Sequence, residues 1–124
     1  MNAVHFPNVS TGYAVGGNGL ILKTVNGGNN WVALTSGTTS ILYSVFFTDA
    51  DTGHAVGTSG TVLKTTDGGI TWSSQKLSTT GRLTSVHFPT PTIGYIACRD
   101  GLPPVISGRG IFLPRSAGQK NVVI

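Results

Sequence analysis

The chain has 124 residues, 18 of them Gly, with 10% charged residues and no glutamate. Gly, Thr, Val and Ile outweigh the residues that favour helices, so strands and tight turns are expected. The net charge of +4 arises from eight scattered bases against four acids, Asp49, Asp51, Asp67 and Asp100, and no basic run that could track a nucleic-acid backbone is present.

In chain order, the first elements are Val4-His5-Phe6, the run Gly12-Tyr13-Ala14-Val15-Gly16, then Gly19, Leu22-Lys23-Thr24 and Trp31. The phrase returns 41 residues later as Val45-Phe46-Phe47, Gly53-His54-Ala55-Val56-Gly57, Gly60, Leu63-Lys64-Thr65 and Trp72. A third, looser copy follows at the same step: Val86-His87-Phe88, Gly94-Tyr95-Ile96-Ala97-Cys98 and Gly101. So many landmarks in one register mark an internal duplication.

The second copy shows what one unit builds. Residues 44–47, "HAVG" (54–57), 61–65 and 71–75 are strand-sized and are separated by turns rich in Gly, Asp and Thr, with no helical spacing. Four antiparallel strands per repeat of about 40 residues is a β-propeller blade. The expected fold is all-β, an incomplete propeller of about two and a half blades. The blades divide as 3–44, 45–85 and a partial third at 86–101, with a divergent tail at 102–124.

The turn between the third and fourth strands reads "KTTDGGITW" in the second copy and "KTVNGGNNW" in the first. Its two glycines suit positive φ, and a short Asp or Asn side chain can bind the N–H groups of its own turn. An acid at Asp67 replaced by an amide at Asn26 fits a turn-builder better than a catalytic carboxylate. Trp72 and Trp31 then lead into the fourth strand, where a large ring can fill the wedge between blades.

Residues Thr65 to Trp72 match every fixed position of the Asp-box, or BNR repeat, and the structural set is Thr65, Asp67, Gly69, Thr71 and Trp72, with Asn26, Gly28 and Trp31 in the first copy. The first copy departs from the motif at Asn26 and Asn30. The longer unit resembles the repeat of the photosystem II stability/assembly factor family over residues 3 to about 101. That resemblance implies a propeller of several blades and a non-enzymatic, protein-binding role, whose photosynthetic members hold a newly made reaction-centre subunit. It also implies an extracytoplasmic place, whether periplasmic, lumenal or secreted. The alternative is a fragment of a secreted sialidase-like or carbohydrate-active BNR protein with its catalytic residues elsewhere.

No catalytic, cofactor-binding or metal-binding residue is expected here. A sialidase-type site needs a glutamate, and the chain has none. "DADTG" at 49–53 lacks the later oxygen ligands of a calcium loop, and "GTSGTVLKT" at 57–65 lacks the glycine before the lysine of a phosphate loop. Lys64 and its copy Lys23 read as solvated strand positions, and Tyr13, Tyr43 and Tyr95 as packing residues. His5 and His87 hold one strand position that Phe46 fills in the second copy. If the first strands line the channel, as the resemblance implies, they are candidate partner contacts, together with Arg82 and Arg99.

Cys98 is alone, so no internal disulfide is expected. The N-terminal residues lack a signal-peptide pattern, and no apolar run approaches the ~20 residues of a membrane helix. After Gly101 the repeat stops: Pro103-Pro104 falls where a strand is due and Leu113 where a tryptophan is due. The tail is read either as a small hairpin around Gly108-Arg109-Gly110 or as an unrelated or frameshifted end. Unfinished blades leave open edges, so self-association or a longer parent protein is expected.

Overall fold

The computed structural model describes residues 1–76, 82–90, 93–99, 111–114 and 119–123. They form three sheets of four antiparallel strands. The first holds β1 (Ala3–His5), β2 (Gly12–Val15), β3 (Ile21–Thr24) and β4 (Val32–Leu34), side by side in chain order. The second repeats this meander with β5 (Leu42–Phe47), β6 (Gly53–Gly57), β7 (Thr61–Thr65) and β8 (Ser73–Lys76). β5 and β9 begin at Leu42 and Arg82, a few residues ahead of the expected blade starts. For β5 the reason is local: the Leu42 N–H donates to the Gly16 carbonyl of the first sheet, which extends the new strand backwards.

The third sheet is arranged differently. β9 (Arg82–Thr90) pairs with β10 (Ile93–Arg99), as in the other sheets. The far edge of β10 is then taken by β12 (Gln119–Val123), and β11 (Ile111–Pro114) lies outside it. A meander would have placed residues just after 102 on that edge. Pro103 and Pro104 have no N–H to donate to a ladder, whereas the five residues of β12 all do. The expected hairpin around Gly108-Arg109-Gly110 lies outside the described residues.

The core lies between sheets rather than within one. One cluster, Tyr13, Val15, Ile21, Leu42, Val45, Phe47, Ala55 and Leu63, joins the first and second sheets. Another, Val56, Val62, Leu83, Val86, Phe88 and Ile96, joins the second and third. The second sheet is covered on both faces, so β6 and β7 are buried at nearly every position, while outer strand β4 stays largely exposed. The first strands of neighbouring sheets lie beside one another, β1 with β5 and β5 with β9. This is the stacking of propeller blades about an axis, and the three described sheets do not close into a ring.

Candidate functional site

The turns at 65–71 and 24–30 are closed hydrogen-bond circuits. In the second copy the Thr65 hydroxyl donates to Asp67 Oδ1 at 2.8 Å and accepts the Gly69 N–H at 2.9 Å. Asp67 Oδ1 also accepts the Thr71 N–H at 2.9 Å, and Oδ2 accepts the Thr71 hydroxyl at 2.5 Å. The Thr71 hydroxyl and N–H, followed by the Thr65 hydroxyl, hold the Asp67 carboxyl down at about 2. In the first copy Thr24, Asn26 and Gly28 repeat the geometry, with Asn26 Oδ1 accepting from Thr24 and from the Asn30 N–H, each at 2.9 Å. Here the last bond runs in reverse, the Asn26 amide donating to Asn30 Oδ1 at 2.9 Å. Three of the roughly four lone-pair sites of the Asp67 carboxylate are thus taken up within its own turn.

The second turn also latches the first sheet. Tyr13 donates its hydroxyl to the Ala50 and Gly68 carbonyls at 2.8 and 3.2 Å, and Lys23 Nζ reaches the Gly68 carbonyl at 2.8 Å. Lys23 is thus half-buried at a blade junction, with its ammonium 5.4 Å from the centre of the Tyr13 ring, not the solvated position expected. The strand pairing Tyr13↔Lys23 puts both side chains on the face that meets the next blade. Burial first, then Asp51 and Asp49, push the Tyr13 hydroxyl up to about 12. Trp72 reaches the junction through another ring: it stands edge-on to Phe47 at 6.0 Å, and Phe47 lies flat on Tyr13 at 3.6 Å.

Of the four candidate contact residues, the fold brings two together. His5 stacks on Phe46 at 4.5 Å, and His87 meets the same ring edge-on at 4.8 Å, forming one row across three neighbouring first strands. His5 Nδ1 accepts the Phe47 N–H at 3.0 Å, so its neutral form ties the first strand to the second. Burial, with His87 as a smaller influence, lowers its pKa. His87 is exposed. Arg82 and Arg99 are cross-strand partners at the far end of β9 and β10. Arg82 lies five residues from His87, ~16 Å along the strand, so the arginines and histidines form two separate places.

Sequence reasoning passed over His54. It takes the place of Tyr13 in the second repeat and stacks on Phe88 at 4.5 Å, with its Nδ1 buried and unpartnered. Burial, then the charge of Lys64, lower it to about 4. The repeat register alone could have found it, since 54 follows 13 by the period of 41. Among the described residues no three His, Cys, Asp or Glu side chains converge on one point. A hollow of about 600 Å³ beside the turn at 17–19, lined by residues such as Asn18, Leu34, Ser36 and Thr38, offers hydroxyls, backbone and aliphatic surface but no titratable group.

Residues 30–106, more than half of the chain, match the family model described as photosynthesis system II assembly factor YCF48. The chain belongs to this family. Among solved structures it is similar to YCF48 bound to a D1 peptide, with 24% identity and a TM-score of 0.64, over 79% of this chain and 34% of that one. At that identity the likeness concerns the fold, and this chain spans about a third of the solved protein's length. No curated protein matches the chain in sequence. Nothing in these comparisons supports the sialidase-like alternative. Among the described residues no helix is long and apolar enough to cross a membrane.

Proposed function

We propose that this chain is part of a non-enzymatic β-propeller scaffold that binds a partner protein, in the manner of the assembly factors of its family. The observation that carries the reading is the row His5–Phe46–His87 on the adjoining first strands. It sets one aromatic ring between two imidazoles, with His87 open to an incoming chain. An exposed imidazole beside two half-buried rings on rigid strands suits a peptide, because it offers stacking surface at little cost in side-chain entropy. Arg82, exposed further along β9, would add attraction for an acidic segment. The similar solved protein was seen with a D1 peptide, and a peptide segment is the ligand class we assign here.

An extracytoplasmic location goes with this reading, as does self-association through the open faces of the outer sheets. The Asp-box turns then serve as junctions between blades, and no reaction chemistry is assigned to them. The experiment is a fluorescence-anisotropy titration of the full chain against a labelled D1-derived peptide and its scrambled counterpart. Saturable binding to the former, weakened several-fold by His87→Ala, is the expected result. Equal binding of both peptides would overturn the reading.

A further inference from the structure

Each junction between blades is built in the same way. Phe47 lies flat over Gly53, where an added Cβ would stand 2.4 Å from the ring, and stacks on Tyr13 of the preceding sheet at 3.6 Å. Phe88 lies over Gly94, again at 2.4 Å, and stacks on His54 of its preceding sheet at 4.5 Å. One phenylalanine and one aromatic from the second strand therefore make each junction.

The chain carries one more of each. Phe6 lies over Gly12 in the same manner but is 39% exposed, against 2% for Phe47 and 8% for Phe88. Val4 is 55% exposed, where Val45 and Val86 are 5% and 4%. On the opposite end Tyr95, in the place of Tyr13 and His54, is 41% exposed, whereas Tyr13 is fully buried. The described residues thus expose, on two separate faces, the complementary halves of a junction that the chain already makes twice internally.

We propose that a second copy of this chain docks head to tail, with Tyr95 of one copy stacked on Phe6 of the next. The acceptors for its hydroxyl are in place. Val9 and Gly27 stand 41 residues before Ala50 and Gly68, whose carbonyls receive the Tyr13 hydroxyl. The turn that presents them is built alike, the Gly27 N–H donating to Ser10 at 2.9 Å as the Gly68 N–H does to Asp51 at 3.0 Å. Because the two halves differ, the contact is heterologous, and such contacts form rings when the rotation closes. Two copies bring six sheets, within the usual range of about four to eight blades, while three copies exceed it. A two-copy ring is the assembly the geometry favours. This inference rests on the self-association reading above and specifies its surface.

Sedimentation velocity of the full chain over a concentration series tests it, alongside Phe6→Ser, Tyr95→Ser and, as a second probe of the leading face, Val4→Lys. Variants are compared after their melting profiles are shown to match the parent. The parent is expected to run as a dimer and each variant to dissociate at least tenfold more readily. A mixture of Phe6→Ser with Tyr95→Ser should regain a one-to-one complex, because one junction is whole again. A monomeric parent would overturn both this surface and self-association itself. A dimer unmoved by all three variants would leave self-association standing, through strand edges, and overturn this surface. Variants that dissociate but fail to complement each other would point to a like-with-like contact and overturn the head-to-tail geometry. Peptide binding is measured separately, so its failure is distinguishable from all of these.

Discussion

Asp67 and Asn26 close the same turn with opposite final hydrogen bonds, acceptor to Thr71 in one and donor to Asn30 in the other. Because the folded Asp67 carboxyl sits at about 2, below its usual value near 4, it binds fewer protons than in the unfolded chain. Its contribution is present above pH ~4 and is lost as pH falls towards 2. Asp49, lowered by the N–H groups of Asp51 and Thr52, acts in the same direction. Thermal melting across pH 5 to 2 should therefore show a weaker acid loss in Asp67→Asn than in the parent; an unchanged slope would contradict the circuit. A second residue-scale expectation concerns Ser59, which holds φ 56, as Asn18 does at φ 57. Asn tolerates this left-handed region better than Ser. Ser59→Asn is expected to raise stability by a few tenths to about 1 kcal/mol in chemical denaturation.

At the scale of elements, the second strand of each repeat carries a glycine at its first or second residue, Gly12, Gly53 or Gly94, because a phenylalanine ring covers it. Gly53 has ordinary strand φ, so its role is space rather than conformational freedom. Gly53→Ala should force Phe47 off Tyr13 and cost about 1–3 kcal/mol, measured by urea unfolding. The companion junction is pH-sensitive. His54 is lowered to about 4 from an ordinary 6.5, so the unfolded chain binds its proton more readily than the folded one. Stability from the His54–Phe88 stack is full above pH 6.5 and is lost as pH falls towards 4. His54→Tyr, which copies Tyr13, should flatten the melting temperature over that window, apart from a residue due to His5, whose pKa is also lowered. The latch of Tyr13 and Lys23 on Gly68 was not legible in the sequence. Nothing in "LKT" distinguishes a lysine in water from one whose ammonium meets a carbonyl 45 residues away.

At the scale of the whole molecule, stability is that of stacked layers, each sheet buried only by its neighbours. The second sheet, covered on both faces, should open last. Amide exchange is expected to be slowest in β6 and β7 and fastest in β4, and the reverse order would contradict the stacking. The sequence by itself determined the repeat, the four-strand unit, the turn chemistry at Asp67 and Asn26 and the incompleteness of the array. These are local or periodic properties, written in spacing, glycine and Asx chemistry. Only the tertiary structure decided which rings meet across junctions, that His5 and His87 share Phe46 while the arginines lie apart, and that β12 rather than residues near 103 covers the edge of β10. Those outcomes depend on pairing over long separations, where burial and unpaired N–H groups of distant strands choose the partner and no short stretch of sequence records the choice.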